Sequence, residues 1–445
     1  MPLNFRFLAL LLVGPVLSLG APTMSLTPEK SSGLYQINEP IIWDVKVMDD
    51  PGNTVTKAPY VIRQDGLKVV ASGTLAFQAG EAKIQTSLAV PGTMLAAVTA
   101  RGVFGQKPIH ALGGAVVAYD KIQRAVPRPD DFGTFWKSKL DQLAAIPPNP
   151  VLQKVATATA GVDYWKVTLD NINGGHVQGQ LARPAGNAKC PAMLIMQYAG
   201  VYGLQPGAVT MPALKGWLVL NIMALDLPID QPPAFYQDKS QHEFKSYMTA
   251  GATDPAKSYF LPMLMGDVQA AHYLASRPDW DGKTLVVTGM SQGGLQSLAT
   301  AGLDPAVTAL MVAVPARCDD SAIVANRLPG WPFSQWNGND PNEAALLKAS
   351  SYFNGINFAS RIRCPALVAV GLLDETAPPT SGFAMFNQLQ GPKELCVMPQ
   401  SNHTGKDPWG KSTMQKAYWD RLPEWEAALV GGNPPPVRAL TAPAQ

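Results

Sequence analysis

A serine lies in a glycine-rich motif of the kind that exposes a nucleophile. Gly289-Met-Ser-Gln-Gly293 follows the strand-forming run 284–288, and residues 295–301 after it have the composition of a helix. A strand, a sharp turn and a helix around G-x-S-x-G form a nucleophile elbow. The helix start would favour an oxyanion beside Ser291. We therefore predict nucleophilic catalysis by Ser291; the alternative is a glycine-rich turn in which Ser291 caps the helix.

The partners of this serine follow from chain order. A hydroxyl nucleophile needs a general base, and a histidine base needs an acid, in the order serine, acid, histidine for this type of fold. Of the five histidines, only His403 follows Ser291. The apolar run 366–373 ends at Asp374. We predict that Ser291, Asp374 and His403 form a catalytic triad.

Other acids and other roles stay open at this point. Asp319 or Asp320, after the apolar run 309–314, is a second acid position, whereas Glu375 would point away from the direction of its neighbour Asp374. The alternative interpretation of His403 is an ordinary loop histidine, and that of Asp374 is a solvated turn residue.

Composition sets broad limits. The chain has 445 residues, of which 47% are hydrophobic, and this predicts two or three domains with full cores. The net charge of +2 does not favour nucleic acid or an anionic membrane as a partner. No metal-ligand spacing occurs, so we expect neither a metal nor another cofactor.

The first 20 residues have the pattern of a secretory signal. Arg6 precedes the apolar run 7–13, and Ser18-Leu-Gly20 precedes Ala21. We predict a signal peptide over residues 1–20 and a secreted or periplasmic protein. An uncleaved membrane anchor is the alternative, and no later stretch is long enough to span a bilayer.

The cysteines leave two outcomes open for an exported protein. A disulfide between Cys364 and Cys396 is one, if neighbouring strands carry them at the same depth. Buried free thiols are the other, since Cys190 and Cys318 also lie in internal-looking segments. The pairing cannot be chosen from the sequence.

The elements around the site divide into two domains. Residues 22–122 alternate apolar and polar side chains in short runs separated by turns such as Asp50-Pro-Gly-Asn53, which predicts an immunoglobulin-like β-sandwich. Residues 127–430 alternate strands and helices, which predicts a mostly parallel sheet covered on both faces. Residues 431–445 read as a disordered tail.

Eight strands are predicted in the second domain, with the elbow after the fifth and an antiparallel hairpin formed by the first two. This pattern predicts an α/β-hydrolase. The strands are Tyr164 to Leu169, His176 to Ala182, Ala192 to Gln197, Trp217 to Ile222, Thr284 to Thr288, Thr308 to Val314, Ala366 to Leu372 and Glu394 to Val397. The clearest helices are Ala256 to Ser276 and Lys411 to Val430.

Over residues 127–430 the chain resembles the acetyl xylan esterase and cephalosporin-C deacetylase family, carbohydrate esterase family seven. The matching segments are Asp131-Phe-Gly-Thr-Phe-Trp136, Tyr198 with Gly200, Gly289-Met-Ser-Gln-Gly-Gly294, Pro315-Ala-Arg-Cys-Asp319 and Asp374 followed by Pro378-Pro-Thr380. The resemblance implies the same triad, with the backbone amides of Gln292 and Tyr198 as the oxyanion hole. Ala224-Leu-Asp226 replaces the family's Arg-Gly-Gln, and the N-terminal β-domain is additional, so this is a divergent branch.

The resemblance also implies an activity. Family members remove acetyl groups from short xylo-oligosaccharides and small esters, so a secreted serine carboxylesterase acting on acetylated carbohydrates is expected. The family's ring-shaped hexamer makes a homo-oligomer one of the implied states. Aromatic faces stack on sugar rings, and Trp331, Trp336 and Trp409 are candidate substrate contacts. Their alternative role is to pack a lid onto the core.

Two other classes of function compete with an esterase. A serine peptidase of the prolyl-oligopeptidase type would share the elbow and the triad order, but normally carries a propeller domain. A non-catalytic carbohydrate-binding protein would bind sugar without hydrolysis. Assays of p-nitrophenyl acetate and of dipeptide anilides separate the esterase from the peptidase. A binding protein would show no hydrolysis and would keep its sugar binding after Ser291→Ala.

Overall fold

An all-β domain fills the first part of the chain. The computed structural model describes residues 22–101, 107–333, 341–405 and 417–440, so the predicted signal at residues 1–20 lies outside the described residues. The domain has eight described strands, of which β2 is only two residues long. They are β1 Thr23–Pro28, β2 Leu34–Tyr35, β3 Ile41–Met48, β4 Lys57–Gln64, β5 Lys68–Ala76, β6 Glu81–Thr86, β7 Gly92–Ala100 and β8 Ile109–Val117.

These strands form the expected immunoglobulin-like sandwich. One sheet has the order β1-β3-β6 and the other the order β2-β8-β7-β4-β5. Alternate residues of β3 point inward, so that Ile41, Trp43 and Val45 are fully buried between the sheets. The period of two in the sequence is therefore the origin of this core.

The second domain contains one large sheet with the topology of an α/β-hydrolase. Its order is β17-β16-β15-β14-β12-β13-β11-β10-β9. The neighbouring pairs β13-β12, β12-β14, β14-β15, β15-β16 and β16-β17 are parallel. The pairs β9-β10, β10-β11 and β11-β13 are antiparallel. The strands are β9 Val151–Lys154, β10 Val162–Asp170, β11 His176–Pro184, β12 Cys190–Met196, β13 Leu218–Ile222, β14 Trp280–Met290, β15 Ala309–Ala313, β16 Ala366–Gly371 and β17 Lys393–Met398.

The sheet has nine strands, so the predicted number of eight is wrong by one. The additional strand is β9, which pairs only with β10 at the edge of the sheet. All four of its residues are exposed. An exposed edge strand needs no alternation of apolar and polar residues, and for that reason the sequence carried no signal for it.

Helices cover both faces of this sheet. The long helix predicted from Ala256 begins four residues later, after a turn at 254–258, and no described helix is long and apolar enough to cross a membrane. The helices are α1 Phe132–Ala144, α2 Gly207–Leu214, α3 Pro233–Gln241, α4 Phe260–Ser276, α5 Gln292–Leu303, α6 Glu343–Ser350, α7 Gly355–Ala359, α8 Pro379–Gln388 and α9 Ala417–Val430.

The described part of the C-terminal segment is attached to the domain, which differs from the disorder predicted for residues 431–445. Glu394 on β17 accepts hydrogen bonds from the Arg421 side chain and from the Arg438 backbone amide. Leu440 packs against the core. A buried carboxylate that needs several donors holds this stretch in place, and residues 441–445 lie outside the described part.

All four cysteines are free thiols, the second of the two outcomes left open above. Strands β16 and β17 are neighbours, but Cys396 pairs with Ala369. Cys364 is therefore displaced from Cys396 by five residues along the strand direction, about 16 Å at the usual rise per residue. A disulfide requires Cα atoms within about 7 Å, so this register excludes the bridge.

Candidate active site

The elbow around Ser291 has the backbone that the motif predicts. Ser291 lies between β14 and α5 with φ 57° and ψ −122°. A Cβ on Gly289 would lie 2.4 Å from the backbone of Gly293, and a Cβ on Gly293 would lie 2.7 Å from the carbonyl oxygen of Met196. Both flanking positions must therefore be glycine for the strand and helix to approach this closely.

The three predicted catalytic side chains lie in one hydrogen-bonded row. His403 Nε2 is 2.8 Å from Ser291 Oγ, and His403 Nδ1 is 2.8 Å from Asp374 Oδ2. Ser291 is 8% exposed and Asp374 is 2% exposed. This arrangement can remove a proton from the serine hydroxyl and stabilise the imidazolium that forms.

The loops that carry the acid and the base are tied to each other. Asp374 Oδ1 accepts hydrogen bonds from the backbone amides of Thr376 at 2.9 Å and Ala377 at 2.7 Å. The amide of Leu373 donates to the carbonyl oxygen of Ser401, two residues before His403. Asp374 therefore has three hydrogen-bond partners and is fixed relative to the histidine.

The alternative acids have other partners. Asp320 pairs with Arg317, at 2.7 Å from Nη2, and Asp319 accepts a hydrogen bond from the amide of Ala125. Burial raises the pKa of Asp319 to about 6. Glu375 is exposed. Among the described residues, Asp374 is the carboxylate that contacts His403.

The other histidines form no metal site. His176 lies 3.3 Å from Asp226, His242 lies 3.0 Å from Asp238, and His272 lies 3.5 Å from Asp304. Within the described ranges, no group of three or more His, Cys, Asp and Glu side chains could hold a metal ion.

Gln292 and Tyr198 carry the two backbone amides that were predicted as the oxyanion hole. Gln292 is the first residue of α5, and Tyr198 follows β12, whose end pairs with Gly289 of β14. Neither amide donates a hydrogen bond within the described residues. The first amides of a helix have no acceptor inside the helix, which explains the unpaired amide of Gln292. Tyr198 lies with Ser291 in the lining of one cavity.

Tyr247 connects the two segments that carry these amides, and it is not among the site residues predicted from the sequence. Its hydroxyl donates to Oε1 of Gln292 at 3.0 Å and accepts from the amide of Gly200 at 3.2 Å. Burial raises the pKa of Tyr247, so the hydroxyl keeps its proton. The residue lies in the long loop 225–254, which has no motif that would have marked it.

A cavity of about 560 Å³ opens in front of the triad. Trp331 lines it, as predicted for a substrate contact, and its ring also packs edge-on against Phe260. Trp336 and Trp409 lie outside the described residues. Other side chains that line the cavity have no motif in the sequence that predicts this role; they include Met290, Val314, Met398, Asn402, Tyr418 and Trp419.

Comparison with known proteins identifies the family of the chain. The family model for acetyl xylan esterase matches residues 118–420. The acetyl esterase Axe7A of Xylanibacter ruminicola is 29% identical over 350 residues, which covers 77% of this chain and 78% of that protein.

Solved structures share the fold of the second domain. An acetyl xylan esterase from Paenibacillus sp. R4 covers 64% of this chain and 93% of its own, with 24% identity and a TM-score of 0.56. Acetyl xylan esterase 1 from Thermoanaerobacterium sp. covers 70% and 97%, with 20% identity and a TM-score of 0.59. The chain is therefore a hydrolase of carboxylic ester bonds and belongs to the acetyl xylan esterase family.

Proposed function

We propose that the protein is a serine esterase that removes acetyl groups from acetylated carbohydrates, xylan-type oligosaccharides or related glycans, through an acyl-enzyme. The observation that carries the proposal is the row of hydrogen bonds from Ser291 through His403 to Asp374, each 2.8 Å long. The family placement supplies the ester chemistry. The two unpaired amides at Gln292 and Tyr198 supply the stabilisation of negative charge.

Acylation follows from this geometry. The Ser291 oxygen attacks the ester carbonyl while His403 Nε2 takes its proton, and Asp374 stabilises the imidazolium. The negative charge on the carbonyl oxygen is received by the two amides, each of which contributes about 3 kcal/mol in comparable sites. The carbon–oxygen ester bond then breaks, and the sugar alkoxide leaves with the proton from His403.

Deacylation repeats the same steps with water. His403 removes a proton from a water molecule, and the resulting hydroxide attacks the acetyl carbonyl of the acyl-enzyme. The bond to Ser291 breaks, the serine oxygen regains its proton from His403, and acetic acid leaves and ionises to acetate in the solvent. The buried triad loses no net proton in the cycle.

The decisive variant is Ser291→Ala. We expect kcat for p-nitrophenyl acetate and for acetate release from acetylated xylo-oligosaccharides to fall by about five orders of magnitude, since the nucleophile is lost. Ser297→Ala is the matched control, because this serine lies on the same helix and its hydroxyl donates only to the carbonyl of Gly293. Acetate release by Ser291→Ala at the wild-type rate would remove Ser291 from the mechanism.

Two further experiments test whether an acyl-enzyme forms and which class of substrate is cleaved. A burst of p-nitrophenol equal to the enzyme concentration, followed by a slower steady rate, is expected if the serine is acylated. Acetate release from a panel of acetylated glycans, with dipeptide anilides as a comparison, identifies the class of substrate. Faster cleavage of the anilides would favour the peptidase alternative.

We also propose that the protein is exported after removal of residues 1–20. The basic residue, short apolar run and small residues of this segment support the proposal. N-terminal sequencing of protein recovered from the medium or periplasm should begin at or near Ala21. A cytoplasmic protein that retains Met1 would contradict it.

A further inference from the structure

The β-sandwich contacts the catalytic domain at a buried polar junction close to the acid loop. Asp65, at the turn after β4, is 7% exposed, and its Oδ1 accepts hydrogen bonds from the Thr93 amide and the Thr380 hydroxyl, both at 2.9 Å. The hydroxyls of Thr93 and Thr380 are 2.6 Å apart. Thr380 is in the first turn of α8, six residues after Asp374. A side chain of one domain thus fixes the start of a helix in the other.

The other flank of the acid loop also lies against the sandwich. Leu372, two residues before Asp374, is 2% exposed and packs on β8. A Cβ on Gly114 would lie 2.4 Å from the Leu372 Cβ and 2.9 Å from its carbonyl oxygen. A Cβ on Gly33 would lie 2.8 Å from a Leu372 methyl. The segment 372–380 therefore has sandwich residues behind both of its ends.

The same turn of the sandwich supports the wall of the cavity. The carbonyl oxygen of Asp65 accepts a hydrogen bond from the amide of Leu328 at 2.8 Å. Three residues later, the Trp331 amide donates to the carbonyl oxygen of Thr376 at 2.8 Å. Trp331 lines the cavity beside Ser291 and His403. Asp65 thus contacts both the acid loop and the segment that carries the tryptophan.

The path from this junction to the reacting atoms is short. The amides of Thr376 and Ala377, which bind the Asp374 carboxylate, lie three to four residues before Thr380. The Asp374 carboxylate in turn fixes the tautomer of His403. A displacement of segment 372–380 would therefore move the acid relative to the base.

We propose that the β-sandwich is a positioning element of the active site, in which Asp65 and Gly114 set the place of the acid loop. The proposal rests on the triad of the proposed function. It assigns the additional domain a role in catalysis rather than in glycan contact or spacing. A shift of about 1 Å in a catalytic group reduces rates by up to about a hundredfold, so small changes at this interface should be measurable in kcat.

Two neighbouring glycines on β8 give a matched test in the full chain. Gly114 faces Leu372, whereas a Cβ on Gly113 would lie 2.9 Å from Leu26 inside the sandwich. We expect Gly114→Ala to lower kcat for p-nitrophenyl acetate by about tenfold, with KM changed less than about twofold. Gly113→Ala should also lower the melting temperature, because its Cβ is crowded as well, but it should keep kcat within about twofold.

A second pair tests the polar junction and remains available if Gly114→Ala fails to fold. Asp65→Ala removes the acceptor for Thr93 and Thr380, whereas Asp65→Asn keeps an oxygen at the Oδ1 position. We expect Asp65→Ala to lower kcat and the rate at which Ser291 reacts with a fluorophosphonate, and Asp65→Asn to restore both. The labelling rate is taken per folded molecule, so that a loss of stability alone does not change it.

The outcomes separate the positioning role of the β-sandwich from the proposed serine-esterase function. Equal kcat losses in Gly113→Ala and Gly114→Ala, or wild-type kcat in Gly114→Ala and Asp65→Ala, would overturn the positioning role. An enzyme whose activity survives Ser291→Ala would instead overturn the proposed function. Loss of kcat confined to Gly114→Ala and Asp65→Ala supports the positioning role.

Discussion

Two buried carboxyl groups lie near the same edge of the large sheet and differ in their surroundings. Asp374, after β16, has three hydrogen-bond partners: two backbone amides and His403. Asp267, on α4, is 1% exposed, and no described residue forms a hydrogen bond with its Oδ2. Its cavity of about 220 Å³ also contains the unpaired Oδ1 of Asn171.

The difference shows that burial alone does not mark a catalytic acid. A buried charge is stable only when donors replace the water it has lost. Asp374 has such donors in the amides of Thr376 and Ala377 and in His403. Asp267 has none among the described residues, and burial raises its pKa well above the usual range. The cavity is lined by Ala224 and Asp226, where the sequence departs from the family's Arg-Gly-Gln.

The largest effect should come from Asp374→Asn. The amide places a donor where His403 needs an acceptor, so the imidazole is held in the wrong tautomer and kcat should fall by about 10⁴. Asp267→Asn is the matched control and should keep kcat within about twofold. Hydrolysis of p-nitrophenyl acetate measures both. Similar losses in the two variants would erase the distinction between the paired and the unpaired acid.

The next effect concerns stability and pH. Burial raises the pKa of Asp267 in the folded state above its unfolded value, about 3.9, so between these two pKa values the folded protein binds one more proton. The stability from this proton is fully present below pH 3.9 and is lost as the pH rises towards the folded pKa. Within that window, the free energy of unfolding should fall by about 1.4 kcal/mol per pH unit.

Urea unfolding at pH 5, 6 and 7 tests this slope. In Asp267→Asn the side chain cannot bind this additional proton. The free energy of unfolding of the variant, relative to that of the wild type, should therefore increase by about 1.4 kcal/mol per pH unit. The His176 and Asp226 side chains, which line the same cavity, are unchanged in the comparison. Parallel pH curves for the two proteins would show that Asp267 is ionised in the folded state.

The smallest effect should come from Tyr247→Phe, at the boundary between the two regions. The Tyr247 ring packs on Tyr259, which lines the Asp267 cavity, and its hydroxyl links Gly200 to Gln292. Loss of the hydroxyl loosens the two amides, and kcat should fall by about three- to tenfold. Tyr198→Phe keeps its backbone amide and should change kcat by less than about twofold. A larger loss in Tyr198→Phe would assign the hydroxyl, and not the amide, to the site.

The sequence predicted the triad because each member has a local signal. Ser291 lies in a glycine motif, Asp374 ends an apolar run, and His403 is the one histidine after the serine. The predicted strands of the sheet also have local signals, since the central ones are short apolar runs and the first two flank the turn 171–175. The fold class was confirmed by the comparisons and by the mostly parallel sheet.

The parts that the sequence did not predict depend on contacts between distant segments. Tyr247 acts through Gly200 and Gln292, and Asp65 acts through Thr380, which is 315 residues away. Strand β9 has no buried face, so no periodic pattern records it. Such contacts are created by the three-dimensional arrangement and leave no spacing in the sequence.

The packing of Leu372 under Gly114 bears on attempts to shorten the enzyme. The segment that matches the family model begins at residue 118, after the whole sandwich. A chain trimmed to that boundary would contain every triad residue, yet it would leave Leu372 and Thr380 facing solvent. The smallest active unit should therefore extend back to β1, well before the region by which the family is recognised.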